Sequence, residues 1–166
     1  MTERKKAKLG DQVKDEISGL SGIAVGMNYW LNGCIRVGIQ PKTKKGEFTI
    51  PETQWADSNQ IKVVKSEMMK PKKLAHTLVE LGDLVKDTIT GFSGAAVACS
   101  KWLNGTVRIA IQPPMKKGEN VPPDSHWVDC EYILVVEKGK FPIAKKPTEG
   151  PKADKQRHFD HSRRVM

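Results

Sequence analysis

The stretch Tyr29–Glu47, YWLNGCIRVGIQPKTKKGE, is written a second time as Lys101–Glu119, KWLNGTVRIAIQPPMKKGE. The offset of 72 holds without a gap in both directions, laying 9–65 on 81–137, and 30 of the 57 aligned pairs are identical. A chain of 166 residues is therefore one short unit used twice. Within the quoted stretch, Asn32-Gly33 and Asn104-Gly105 predict hairpins closed by two-residue type I′ turns, because Asn and Gly best tolerate the positive φ that both positions require. After the turn Ile35, Val37 and Ile39 alternate with Arg36, Gly38 and Gln40, and Val107, Ile109 and Ile111 alternate in the same way. A period of two predicts a strand with one buried face. Gln-Pro ends that strand, since proline cannot donate to a ladder. The Lys-Lys-Gly-Glu that follows reads as an exposed loop.

Upstream, each unit opens LGDxVKD, at Leu9 and Leu81. Val13, Asp15 and Ile17 alternate with polar neighbours, as do Val85, Asp87 and Ile89, predicting a first strand. Paired glycines in Ser18–Gly22 and Thr90–Gly94 predict a tight turn, with a second strand over Ile23–Met27 and from Ala95. Downstream, Trp55 and Trp127 open a short fourth strand, and Gln60–Lys65 and Tyr132–Glu137 form a fifth. Glycines and prolines cut every helical period. Five short strands in under 60 residues predict a small, strongly bent antiparallel barrel. A unit this short is marginal alone, so the two copies are expected to pack together or to share a partner. The expected fold is all-β: two tandem five-stranded barrels over 9–65 and 81–137. A basic arm (1–8) precedes them, a linker (66–80), the reading preferred to a helical turn after Pro71, joins them, and a basic extended tail (138–166) follows.

Net charge sharpens this division. Of the overall +9, the arm carries +3 and the tail +6, while the first copy is +1 and the second −2. A folded face that gripped a nucleic-acid duplex would be basic itself; here the ends hold the charge. No apolar run approaches the ~20 residues that span a bilayer. The start lacks the apolar segment of a secretory signal. The three cysteines, Cys34, Cys99 and Cys130, are matched by Thr106, Met27 and Ser58, so no disulfide or metal framework is repeated. They read as small buried side chains in a reducing compartment.

The pattern GDxVKDxI(S/T)G(L/F)SGxAV, then WLNGxxRxxIQP, then Trp-Asp and IxVV, resembles small proteins of tailed bacteriophages. Its opening also resembles SH3-like barrels of the KOW type, where Gly-Asp precedes the first strand. The resemblance covers 9–65 and 81–137 and implies an SH3-like barrel unit in a phage product, either a virion component or a small binding protein. The chain departs from the pattern in carrying two units and a longer basic tail, and no catalytic residues come with it.

Candidate sites follow from residue type. Asp11, Asp15 and Asp57, with counterparts Asp83, Asp87 and Asp129, are the repeated carboxylates. Asp11, beside Gly10, reads as a turn former rather than as half of an acid–base pair. GLSG and GFSG lack the lysine and helix of a phosphate loop. His158 and His161 lie in the polar tail and are not read as metal ligands. Trp30 and Trp102, flanking the hairpin turns, are candidate interface anchors, unless each caps its own barrel. Arg36 and Arg108 face a partner carboxylate or a neighbouring strand. Lys145, Lys146, Lys155, Arg157, Arg163 and Arg164 suit an acidic surface or phosphates. The expected function is a non-enzymatic phage structural protein, such as a capsid decoration or virion accessory protein. It binds capsid or other virion subunits, without cofactor, metal, small-molecule substrate or membrane, and resides in the virion and, during assembly, in host cytoplasm. The alternatives are nucleic-acid binding of KOW type through the tails and binding of a host factor inside the cell.

Overall fold

A computed structural model of the chain describes residues 5–142. Each copy supplies five strands. The first gives β1 (Gln12–Asp15), β2 (Ser21–Trp30), β3 (Ile35–Gln40), β4 (Gln54–Asp57) and β5 (Ile61–Lys65). The second gives β6 (Leu84–Asp87), β7 (Ser93–Trp102), β8 (Val107–Gln112), β9 (His126–Asp129) and β10 (Ile133–Glu137). Short 3-10 turns at Ser58–Gln60 and Cys130–Tyr132 separate the last two strands of each copy.

The strands do not close into two barrels. They join into a ten-stranded sheet whose main path is β10-β6-β7-β2-β1-β5, with β3 and β4 branching from β2, and β8 and β9 from β7. Every described pairing is antiparallel. The last strand of each copy pairs with its first, but among the described residues β4 meets only β3 and β9 only β8, so the sheet of neither copy closes. This overturns the expected pair of SH3-like barrels, and with it the structural half of the phage and SH3 resemblance. The edges left open are those of β4 and β5, which the Ser58–Gln60 turn joins without pairing them, and in the second copy those of β9 and β10. The sequence reading ended the second strand at Met27. In the structure β2 continues to Trp30, and its far edge is taken by β7 of the other copy. That pairing fuses the two copies into one sheet.

The β2–β7 register has a symmetry of its own. Asn28 pairs with Ser100, its own counterpart 72 residues on, and Gly26 with Trp102 just as Trp30 pairs with Ala98. A pseudo-twofold axis thus passes between Asn28 and Ser100, and the duplicated chain builds within itself the self-complementary contact of a C2 dimer. Two backbone bonds extend it. Leu31 N–H donates to Val97 O (2.7 Å) and Leu103 N–H to Val25 O (2.8 Å). Val25 and Val97 lie where the β2–β3 and β7–β8 registers slip. A bulge there bends the strand and turns a carbonyl toward the neighbouring copy.

Each half keeps its own core. Val13, Ala24, Val37, Ile39 and Ile61 form one; Val85, Ala96, Val107, Ile109, Ile111 and Cys130 form the other. The alternation expected for β3 and β8 is present, with Val37, Ile39, Ile109 and Ile111 fully buried. The alternation expected for the first strand stops one step early. Ile17 and Ile89 lie past Asp15 and Asp87 and are exposed, because the chain has already turned.

Two glycines in the first turn do different jobs. Gly19 has φ +77° and serves the turn, whereas a Cβ on Gly22 would stand 2.3 Å from Gln40 O, so Gly22 lets β3 come close. The hairpin turns also differ from expectation. Gly33 N–H donates to Trp30 O (2.8 Å), Trp30 N–H to Cys34 O (2.9 Å), and of the pair only Gly33 has positive φ. This is a three-residue loop, a type I turn followed by a left-handed glycine, not a type I′ turn. Asn32 contributes through its side chain, whose Oδ1 accepts from Cys34 N–H (2.9 Å).

The segment 66–80 contains no helical turn. It runs extended from the first copy's opening turn, where Glu67 N–H reaches Asp11 Oδ1 (2.9 Å) and Met69 N–H reaches Gly10 O (3.0 Å). It then passes the tip of the second hairpin, where Lys72 N–H donates to Leu103 O (2.9 Å) and Ala75 N–H to Gly105 O (2.8 Å). Leu74, Ala75 and Val79 finally cover the second core.

Candidate functional site

Trp30 and Trp102 flank the hairpin turns and cross to the opposite copy. Trp30 meets Trp127 edge to face (centroids 6.1 Å, 82°), and Trp102 meets Trp55 (5.5 Å, 89°). Each stands opposite a small residue, Ala98 or Gly26, that leaves room for the ring. A Cβ on Gly26 would lie 2.8 Å from the Trp55 ring. The second copy carries Ala98 and Ala110 where the first has Gly26 and Gly38, and the Trp30–Trp127 pair is correspondingly wider. The four tryptophans are therefore the contact between the copies. They meet across the two copies instead of capping their own halves.

Arg36 and Arg108 staple β3 to β4 and β8 to β9. Their Nη2 groups donate to Trp55 O (3.0 Å) and Trp127 O (3.1 Å), and their Nε atoms lie 3.6 and 2.9 Å from Asp57 and Asp129. The closer Nε is near its carboxylate without hydrogen-bond alignment. These are cross-strand pairs inside each copy, the neighbouring-strand alternative. Lys145, Lys146, Lys155, Arg157, Arg163 and Arg164 lie outside the described residues, as do His158 and His161.

The buried carboxylates hold the backbone. Asp11 Oδ2 accepts from Lys8 N–H (2.9 Å) while its Oδ1 ties down the chain at Glu67. Asp83 repeats this with Glu80 N–H (2.9 Å) and Gly139 N–H (2.8 Å), and the Lys138 ammonium lies 3.2 Å away. Burial pushes the Asp83 carboxyl up, but these donors and the Lys138 charge outweigh it and leave it below the ordinary range. Asp15 and Asp87 accept hydroxyl bonds from Ser18 and Thr90 (both 2.5 Å) and N–H bonds from Ile17 (3.1 Å) and Ile89 (3.0 Å). The Ser18 and Thr90 hydroxyls, then those N–H groups, hold both carboxyls low. Asp15, Asp83 and Asp87 are turn locks held toward the ionised form, the opposite of an acid–base pair with split pKa values.

Two of the three thiols are quiet for a related reason. Burial raises Cys99 and Cys130, disfavouring the thiolate that reacts. Cys130 is buried, whereas Cys34 and Cys99 are only partly so, which corrects the expectation of three buried cysteines. Among the described residues no three His, Cys, Asp or Glu side chains gather where they would hold a metal ion.

What sequence reasoning missed is the apolar surface left outside. Phe48, Ile50 and Val121 project from the loops between the third and fourth strands of each copy, Phe48 fully exposed (101%). Val64 on β5, and Leu134 and Val136 on β10, face outward from the two end strands of the main path. Among the described residues no strand pairs with the outer edge of either. A signal was present on β10: Ile-Leu-Val-Val crowds four apolar residues where strict alternation has room for half of them.

No family model, curated protein or solved structure matches this chain.

Proposed function

We propose that the protein is a non-enzymatic binding protein whose partner is another protein. The observation that carries this reading is the set of large apolar side chains that the fold leaves in solvent, Phe48, Ile50, Val121, Leu134 and Val136. They occupy loops and unpaired strand edges, the places where a second chain adds a strand or buries an anchor. The carboxylates that a catalytic reading would need are spent on turns instead. In the setting that the sequence resemblance implies, the partner is a virion subunit. Mass spectrometry of purified particles decides that setting separately.

The test is a pull-down with the tagged full chain against a charge-matched control. A specific protein is expected to be retained by the natural chain and reduced at least about tenfold by Phe48→Ser with Ile50→Ser, since loss of one apolar anchor is worth upward of 1.4 kcal/mol. The melting temperature should stay put, because both side chains are already in water. If the doubly substituted chain retains the same proteins in the same amounts, the exposed apolar residues are not the binding surface. A gel shift at low salt tests the alternative: binding that falls steeply with added salt would move the function to nucleic acid.

A further inference from the structure

The pseudo-twofold axis makes each backbone contact of one copy a prediction for the other, and at the hairpin tips that prediction goes unmatched. At the second hairpin, Leu103 O and Gly105 O accept N–H bonds from Lys72 and Ala75, and Leu74 between them packs on the core. A Cβ on Gly105 would meet Lys73 O at 2.5 Å. At the first hairpin, Leu31 O and Gly33 O accept no hydrogen bond among the described residues, and nothing lies within 4 Å of a Cβ placed on Gly33. The consequences show in burial: Gly105, Val107 and Cys130 are buried, while Gly33 is exposed and Ile35 and Ser58 are half-buried. Beside the empty tip, Trp30, Leu31, Asn32, Val97 and Pro142 line a cavity of about 310 Å³.

Elsewhere the symmetry is kept. Gly139 and Phe141 donate to Asp83 and Gly82 as Glu67 and Met69 donate to Asp11 and Gly10, and Ala7 packs on the first core as Val79 does on the second. At the matching register the chain's own ends lack the chemistry of the segment seated in the twin groove. Carrying the 72-residue offset outward puts Thr2 or Lys146 in the place of Leu74, and Glu3 or Pro147 in the place of Ala75. Neither alternative offers an apolar side chain for the cup, and a proline has no N–H for Gly33 O.

We infer that the groove at the first hairpin is a docking site for an extended peptide of a partner protein. That peptide has the chemistry of the segment seated in the twin groove. It presents two N–H groups three residues apart to Leu31 O and Gly33 O, with a leucine-like side chain just before the second, set over Ile35. The groove is continuous with the inter-copy contact through Trp30 and Val97, so a bound peptide would rest on a preformed wall and need little rearrangement. This inference deepens the protein-binding reading and rests on it.

The probe is a labelled peptide of the chain's own Lys70–Val79, KPKKLAHTLV, added to the full-length protein. Fluorescence anisotropy should show saturable binding, weakened at least about tenfold when the peptide carries Leu74→Glu. Cross-linking then locates it. Asn32→p-benzoylphenylalanine in the full chain should label the peptide, whereas the same substitution at Asn104, whose groove is filled, should not. Absence of saturable binding overturns the inference. So does cross-linking from position 32 to residues 1–4 or 143–166 of the same chain with the peptide unlabelled, since the groove would then have an internal occupant. Partner capture that survives with no peptide binding sinks this site and leaves the broader reading standing. Peptide binding without any captured partner does the reverse.

Discussion

Asp15 and Asp87 show how one side chain fixes a turn and sets a pH limit. Each carboxylate accepts a hydroxyl and an N–H from residues two and three positions on, which is why the first strand of each copy ends there. Their carboxyls are held below the ordinary value, Asp83 likewise. A carboxyl lowered by folding contributes stability that is present above its unfolded value, near about 3.9, and is lost as pH falls through the lowered folded value. The melting temperature should therefore be flat near neutrality and drop from about pH 5 downward. Asp15→Asn with Asp87→Asn should lower it at pH 7, where the charge-assisted bonds are lost, and should make its fall below pH 5 shallower. Asp83 leaves a residual slope. Thermal melts followed by circular dichroism across this range decide the matter, and an unchanged acid slope in the double variant would contradict the assignment.

At the scale of elements, the hairpin pairs β2–β3 and β7–β8 matter most, because each sends its tip across the pseudo-twofold axis. Trp102 is the anchor of one tip, edge-on to Trp55 and opposite Gly26. Trp102→Ala should cost about 3 kcal/mol, at the low end for a tryptophan truncation because the ring is only half-buried. Arg36→Ala removes an exposed staple and should cost less than about 1 kcal/mol. Urea unfolding of the two variants gives both values, and equal costs would mean that the tryptophan contact is not what holds the copies together. Much of this level was legible beforehand. The period of two in Ile35–Ile39 and Val107–Ile111 placed the central strands, Gln-Pro placed their ends, and Trp55 and Trp127 opened the fourth strands. The end of the second strand and the turn type were not legible. Asn-Gly has the same letters in a type I′ turn and in a three-residue loop with a left-handed glycine. Nothing local in Asn28-Tyr29-Trp30 says that a distant strand will pair there. The copies fuse through a contact between residues 72 apart, and a pattern read within one copy cannot contain it. The same holds for the candidate site. Trp30 and Trp102 had the composition of interface anchors and are such anchors, but the interface is internal.

For the molecule as a whole, the shared sheet predicts one unfolding transition rather than two. A unit of 57 residues is too small to be secure alone, and here its β2 edge and its hairpin tryptophan are both satisfied only by the other copy. Losing either half exposes the tryptophans of the remaining one and leaves a bare strand edge. All four tryptophans sit in the inter-copy contact, so their fluorescence reports that contact, while far-ultraviolet dichroism reports the sheet in both halves. Under two-state behaviour the two probes follow one curve in urea, with a slope suited to the full described chain and not to half of it. A fluorescence change that precedes the loss of sheet would show the halves parting before they unfold. It would make the pairing across Asn28 and Ser100 a docking contact between independent units. Coincident curves would mean that the second copy is what allows the first to fold, and that the open groove at Leu31 and Gly33 is the asymmetry left over once that requirement is met.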